Sequence, residues 1–148
     1  MKNRIVTTAV LATFALSVPY ASATAAEMTL KAGFFISTNK SLIRQSFDQF
    51  VAKVNADGKG LIKIPAVVGR EAIPSRQMGN AVKSGLLDIA GTPPAYMANL
   101  VKLATGFTPT TKPVQEMRKN GAFAIFQDLF AKNANMHLVS AYGGTIDF

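Results

Sequence analysis

Short apolar runs alternate with amphipathic stretches along most of the chain. Residues 27–36 begin with apolar side chains at alternate positions and continue with an apolar run, which is the pattern of a strand. Three more apolar runs predict strands at residues 61–68, 86–90 and 137–141. Pro65 has no backbone N–H to donate to a sheet, so we expect it at the end or the edge of the second strand.

Between these strands, apolar residues recur at the spacing of helices. The clearest helix follows the polar turn at residues 37–39 and ends at the Asp-Gly-Lys-Gly stretch, residues 57–60. Its apolar residues recur at spacings of four, three, one and three, which places on one face Ile43, Phe47, Phe50, Val51 and Val54. Further helices are predicted at residues 74–84, 95–103 and 114–132, the last either continuous or broken near Gly121.

The alternation of strands and helices predicts an α/β fold, with a mostly parallel sheet covered by helices on both faces. A length of 148 residues suits one domain. With 49% hydrophobic and 16% charged residues, the chain is too apolar for a disordered protein.

The first 26 residues have a different character. Lys2 and Arg4 precede an uncharged apolar stretch at residues 5–18, and Pro19 is followed by small residues with Ala-x-Ala cleavage sites. The apolar stretch is shorter than the roughly 20 residues of a membrane-spanning helix. We therefore predict a signal peptide at residues 1–26, an α/β lobe at 27–148 and, in a Gram-negative cell, a periplasmic mature protein. An uncleaved N-terminal anchor is the alternative.

The residue types available for catalysis and metal binding are few. The chain has no cysteine, which excludes disulfides, thiol catalysis and thiolate metal sites. Its one histidine, His137, is expected to be structural, and the isolated carboxylates Glu71 and Asp88 to be solvated or capping. No glycine-rich phosphate loop follows the first strand. We predict no catalytic residue, no metal and no cofactor.

The chain is basic, with 16 Lys and Arg against eight Asp and Glu and a formal net charge of +8. The basic residues between positions 59 and 83 form a loose cluster that lacks the interleaved aromatic residues of a nucleic-acid surface. We therefore expect a solvated face and no nucleic-acid partner. The cluster consists of Lys59, Lys63, Arg70, Arg76 and Lys83.

Loops after the predicted strands are the candidate binding site. In an open parallel sheet, ligands bind outside the carboxyl ends of the strands. The loops at residues 34–39, 91–96 and 142–145 carry small, hydroxyl or amide residues, and aromatic ones, a composition that suits a small polar ligand. The candidate contacts are Phe35, Thr38, Asn39, Thr92, Tyr96 and Tyr142. The alternative for the aromatic residues is that they only cap the core.

Several stretches resemble the solute-binding subunits of TRAP transporters, the DctP family. Residues 30–34 (LKAGF) and 50–55 (FVAKVN) resemble that family's first strand and the end of its first helix, and residues 63–69 (KIPAVVG) resemble its second strand. The most specific stretch is QMGNAVKSGLLDIA, residues 77–90, which resembles the family's helix, turn and following strand. Residues 140–145 (SAYGGT) look like the strand that leads to its interlobe crossing.

The resemblance implies one lobe of a two-lobe, periplasmic-binding-protein-like fold. Such a protein captures a small organic acid, a carboxylate or a sulfonate, and delivers it to TRAP membrane permease subunits that use an ion gradient. It catalyses no reaction, so the chain is not expected to be an enzyme. Phe35 and the loop from Thr92 to Tyr96 match positions near the family's ligand.

This chain departs from the family pattern in its length and in the position of its arginines. Members of the family are about twice as long, which implies an N-terminal half without its second lobe, from an interrupted gene or a partial record. The family usually binds the ligand's carboxylate through an arginine of the second lobe, and many members carry another arginine shortly after the 140–145 stretch, where this chain has Ile146. Arg118 lies on a predicted helix, so the resemblance implies that the main anion anchor is missing or lies beyond residue 148. Three rival hypotheses are an ABC-type binding protein, a small periplasmic enzyme and a fragment without function.

Overall fold

The computed structural model describes residues 26–107 and 113–141. Its strands are β1 (Met28–Thr29), β2 (Ala32–Phe34), β3 (Ile62–Lys63), β4 (Val67–Val68) and β5 (Ile89–Gly91). Its α-helices are α1 (Leu42–Asp57), α2 (Met78–Lys83), α3 (Val114–Lys119) and α4 (Ala122–Ala134). Three 3-10 segments complete the regular structure, at Ser75–Gln77, Pro94–Met97 and Lys102–Phe107.

All strand pairs among the described residues are parallel. β1 pairs with β3, and β2 lies between β4 and β5, so that Ala32 is opposite both Val67 and Ile89. The predicted first and second strands are each interrupted once, and Pro65 lies in the interruption between β3 and β4. The sequence-based placement of Pro65 is confirmed, because there its missing N–H removes no ladder bond.

The two faces of β2 pack against different helices. Phe34 is fully buried against Phe47 of α1, with ring centroids 4.9 Å apart. Gly33 points to the opposite face, where a Cβ would lie 2.5 Å from Leu87 Cδ1 and 3.1 Å from the sulfur of Met78. The structure is therefore α/β with parallel strands flanked by helices, as predicted, but the strands form two sheets, β1–β3 and β4–β2–β5, where one sheet was expected.

A second packed region joins α3, α4 and the last 3-10 segment. Phe130 and Ala134 of α4 pack with Val101 and Ala104, and Phe123 packs with Met117 of α3. α3 and α4 are separated by Gly121, which adopts a left-handed conformation with φ 83°. Of the two alternatives for this stretch, the broken helix is the one observed.

The predicted fourth strand, residues 137–141, is wrong: these residues pair with no strand of the described chain. Side chains of α3 and α4 take their carbonyls instead. Arg118 Nη2 donates to the Val139 carbonyl at 2.7 Å, and Gln127 Nε2 donates to that of Leu138 at 3.1 Å. Leu138 also packs against the Met117 and Phe123 cluster, so its apolar character is satisfied by helices.

Two more boundaries differ from the predictions. The helix expected at residues 95–103 is replaced by the 3-10 segments, which are closed by short-range bonds such as Tyr96 N–H to the Pro93 carbonyl at 2.9 Å. The third strand starts at Ile89 and not at Leu86, because the N–H of Leu87 still bonds the Ala81 carbonyl at 3.0 Å.

Across residues 26–107 and 113–141, we find no helix with both the length and the hydrophobicity needed to span a bilayer.

Candidate ligand site at the carboxyl edge of the sheet

Phe35 is the residue at which three connections meet. It follows β2 directly, and its N–H donates to the carbonyl of Gly91, the last residue of β5, at 3.0 Å. Its own carbonyl accepts a hydrogen bond from Ser75 Oγ at 2.8 Å. The loops after β2 and β5 and the segment before α2 are thus joined at the carboxyl edge of the sheet, where ligands of open parallel sheets bind.

Phe35 and Tyr96 form an aromatic pair at this edge. Their ring centroids are 6.2 Å apart and the rings meet edge to face at 84°. Phe35 also contacts Phe34, at 5.0 Å between centroids, and both residues of the pair are half-buried. An edge-to-face pair contributes about 0.5–1.5 kcal/mol beyond its buried area. The pair therefore closes one end of the core and also offers aromatic surface to solvent.

Arg76 lies over the outer side of this pair. Its guanidinium carbon is 4.6 Å from the centroid of the Tyr96 ring, a cation–π distance. The sequence analysis placed Arg76 on a solvated basic face, and the residue is indeed exposed. The contact with Tyr96 was not predicted, and it fixes a cation beside the aromatic pair.

Thr92 provides an unpaired polar group in the same region. It follows Gly91 directly, and its Oγ1 is buried without a hydrogen-bond partner among the described residues. A buried hydroxyl left unpaired costs about 1–3 kcal/mol. A ligand oxygen or N–H group reaching Thr92 would remove that cost, which is the behaviour expected of a binding residue.

Ser37 and Glu71 tie the loop after β2 to the loop after β4. The Ser37 hydroxyl donates to the Glu71 carboxylate and accepts from the Arg70 N–H at 3.2 Å, while the Gly69 N–H donates to Glu71 Oε1 at 2.9 Å. Donation from Ser37, then from backbone N–H groups, lowers the pKa of Glu71, and the charge of Arg44 adds to this effect. Glu71 is an exposed capping carboxylate, as the sequence analysis expected.

The structure brings together only part of the predicted contact set. Phe35 and Tyr96 touch, and Thr92 lies on the connection between β5 and Tyr96. Thr38 and Asn39 are exposed in the turn before α1, where Thr38 Oγ1 accepts from the Lys40 N–H at 3.3 Å and the Asn39 carbonyl accepts from Gln45 at 3.0 Å.

No described hydrogen bond or ring contact joins Thr38 or Asn39 to the aromatic pair. The sixth predicted contact, Tyr142, lies outside the described residues.

Four residues of this edge were missed from the candidate contacts: Ser37, Glu71, Ser75 and Arg76. All but Ser37 come from the connection between β4 and α2, which the loop-after-strand argument did not examine. The available signal was Pro74, which indicates the start of a helical segment, together with the hydroxyl and basic residues that follow it.

The described residues of this edge are partly exposed: Phe35, Thr92 and Tyr96 are half-buried and Arg76 is exposed. Two shallow cavities, of about 440 and 650 Å³, lie elsewhere, one against aliphatic residues such as Leu30, Ile73 and Leu87 and the other beside α1. Neither is lined by Phe35, Thr92 or Tyr96. A ligand at the aromatic pair would therefore stay partly in water until another surface covered it.

Metal ligands do not cluster in the part of the chain that the structure describes, where no three residues among His, Cys, Asp and Glu could hold one ion. No protein-family model matches the chain. The candidate site is accordingly interpreted from its own geometry.

Proposed function

We propose that this chain is the ligand-capturing α/β lobe of an extracytoplasmic solute-binding protein that serves a TRAP-type transporter and takes a small organic acid. The observation that carries the proposal is the aromatic pair Phe35–Tyr96 beside the buried, unpaired Thr92 hydroxyl, at the carboxyl edge of a parallel sheet. Ligand sites in open α/β sheets have this position and combine apolar surface with a few polar groups.

The ligand class is supported by charge. The chain carries a formal +8, of which +6 remains once Lys2 and Arg4 leave with the predicted signal peptide, and this charge attracts small anions over a distance of about 8–10 Å at ordinary salt. Such attraction raises the encounter rate but does not select one solute, so selection falls to the groups at the sheet edge.

The two-lobe arrangement is supported by the exposure of the site, where Arg76 is exposed and Phe35 and Tyr96 are half-buried. A carboxylate held on one exposed face stays hydrated, and a surface ion pair contributes only about 0–1 kcal/mol. Closure of a second lobe over the first surrounds the ligand and removes that water. The resemblance of residues 30–34 and 77–90 to TRAP solute-binding subunits supports the same assembly, with membrane permease subunits as partners and with no catalytic step, cofactor or nucleic acid.

Ligand capture is tested by thermal shift and calorimetry with a panel of mono- and dicarboxylates on the purified chain. We expect weak, saturable binding that Tyr96→Ala removes and that Leu103→Ala, a truncation of an exposed side chain in the last 3-10 segment, leaves unchanged. Absence of saturable binding to every acid, or equal loss in both variants, would contradict ligand capture.

The transporter class is tested by the genes beside the coding sequence and by uptake assays. A large and a small integral membrane subunit nearby, with uptake that depends on an ion gradient, are expected for a TRAP system. An adjacent ATPase subunit with ATP-dependent uptake would instead identify an ABC-type system.

A further inference from the structure

The three arginines with described side-chain contacts differ in what they touch. Arg44 pairs with Asp48 at 2.8 Å and donates to the Ile36 carbonyl at 3.0 Å. Arg118 lies 3.8 Å over Phe123 and donates to the Val139 carbonyl. Arg76 contacts the Tyr96 ring, and no carboxylate or carbonyl of the described chain accepts a hydrogen bond from its guanidinium. Arg44 and Arg118 each donate to an acceptor, whereas no acceptor of the described chain takes an N–H group of Arg76.

The position of Arg76 is set by its neighbours. Ser75, the preceding residue, is held by its hydrogen bond to the Phe35 carbonyl at 2.8 Å. Tyr96, the platform under the guanidinium, is held edge-on against the Phe35 ring and by its N–H bond to the Pro93 carbonyl at 2.9 Å. Both the backbone that carries the cation and the ring beneath it are therefore fixed to Phe35.

Thr92 is close in sequence to this arrangement. It lies on the short connection that runs from β5 through Pro93 to Tyr96. A guanidinium on an aromatic face still presents N–H groups at its edge, and two of them match the two oxygens of a carboxylate. The hydroxyl of Thr92 is a further donor or acceptor for a second polar group of the same molecule.

We propose that Arg76 is the carboxylate-binding residue of this lobe, with Tyr96 as its platform and Thr92 as a second polar contact. This inference rests on the proposed function and adds to it the anion anchor. It places that anchor on the segment before α2, at a position that the sequence analysis counted as part of a solvated face.

The experiment uses succinate and its neutral diamide on the purified chain, observed by NMR at the Tyr96 ring and the Arg76 Nε–H. Succinate should move both signals saturably with a millimolar dissociation constant, because the ion pair is open to water. The diamide should move neither. Arg76→Gln should weaken succinate binding by about fivefold, the upper range for an ion pair open to water. Arg76→Lys should restore part of the affinity, since a lysine keeps the charge but loses the two-pronged geometry.

Arg70→Gln is the matched control. It removes the same charge from an exposed arginine of the same connection, which has no described contact with Tyr96. It should leave succinate affinity and the Tyr96 shift unchanged. Unaltered amide signals of Phe34 and Gly91 in each variant show that the sheet edge is intact.

The outcomes separate this inference from the proposed function. Succinate binding that survives Arg76→Gln, or that falls equally in Arg70→Gln, overturns the role of Arg76 and leaves organic-acid capture standing. Sulfate binding as tight as succinate binding, lost in Arg76→Gln, supports Arg76 as an anion site and contradicts selection of organic acids. Wild-type signals that do not respond to succinate overturn the inference.

Discussion

The Ser37 hydroxyl shows how much one side chain can connect at the edge of this sheet. It accepts from the backbone of Arg70 and donates to Glu71, so the loops after two neighbouring strands share one oxygen atom. Because the bonding partner of that hydroxyl is an ionised carboxylate, the connection depends on the protonation of Glu71.

The first prediction concerns the pH dependence of this connection. The pKa of Glu71 is lowered in the folded chain, chiefly by Ser37, so its stabilising effect is present above the ordinary glutamate pKa of about 4.3. The effect is lost as the pH falls through the lowered folded-state pKa. The difference in unfolding free energy between wild type and Glu71→Gln should be constant near neutral pH and shrink in acid.

Urea denaturation across that pH range checks the prediction. Ser37→Ala should flatten the same profile, because it removes the largest cause of the lowered pKa. A difference between wild type and Glu71→Gln that does not vary with pH would mean that the connection contributes nothing.

The second prediction concerns the close approach of β5 to the core. A Cβ on Gly91 would collide with the Phe34 ring and lie 3.2 Å from Phe47, and Phe34 is too deeply buried to move aside. Gly91→Ala should lower the unfolding free energy by about 1–3 kcal/mol, as overpacking does.

Gly106→Ala is the control for Gly91→Ala. Among the described residues its added methyl would meet Phe126, at an ordinary 3.8 Å, so we expect a change within about 0.5 kcal/mol. Denaturation curves of the two variants that coincide would count against this account of the sheet packing.

Residues of the candidate site were predictable where they closely follow a strand in the sequence. Phe35, Thr92 and Tyr96 follow strands that the apolar pattern located, so the loop argument found them. Ser75 and Arg76 reach the same edge through a bond to Phe35 and a contact with Tyr96, across 40 and 20 residues of sequence. Neither the spacing nor the chemistry of residues 74–84 encodes those partners.

At the scale of elements, the join between α3 and α4 depends on one glycine. Gly121 has φ 83°, a conformation that costs other residues roughly 1–2 kcal/mol. The Ala122 N–H then bonds the Asn120 side chain at 3.0 Å, which starts α4 in a new direction.

The third prediction follows from that conformation. Gly121→Ala should destabilise the chain by roughly 1 kcal/mol, and Gly121→Asn by less, because asparagine tolerates the left-handed region better. Thermal unfolding of the two variants checks the order. If alanine were tolerated as well as asparagine, the left-handed turn would not be what separates the helices.

A helix or strand was predictable when its hydrophobic pattern is typical of only one type of element. The 16-residue α1 was located because its apolar residues, among them Phe47 and Val51, share one face that packs against the strands. Residues 137–141 form a short apolar run like that of a strand, yet the carbonyls of Leu138 and Val139 accept from Gln127 and Arg118 of neighbouring helices. A short apolar run indicates burial and carries no information on whether a strand or a helix buries it.

For the whole molecule, the sequence predicted the class of fold but not which large apolar side chains stay exposed at its surface. Several large apolar side chains are exposed in the described chain: Leu42 at 78%, Leu61 at 68% and Leu86 at 59%. Leu86 also borders the 440 Å³ cavity with Leu30 and Ile73. The apolar pattern cannot distinguish a side chain that packs within the lobe from one left at its surface.

The fourth prediction concerns the whole precursor. Lys2, Arg4 and the apolar stretch that follows should direct export, with cleavage between Ala23 and Glu27. N-terminal sequencing of periplasmic material checks the cleavage point. Replacing both Lys2 and Arg4 by glutamate should leave more uncleaved precursor in the cell, whereas a membrane-bound chain that still begins at Met1 would contradict the signal peptide.

The position of β2 in the sheet has a consequence for the timing of folding. β2 is among the first elements in the sequence, yet it is the central strand, with Ala32 paired to Val67 on one side and to Ile89 on the other. Its ladder with β4 cannot form until residues 67–68 have left the ribosome, and its ladder with β5 waits for residues 89–91, so closing those long loops makes parallel pairing slow. Until both later strands have paired with it, β2 lacks its neighbours, and the sheet face that carries Phe34 stays incomplete while the following helix α1 can already form.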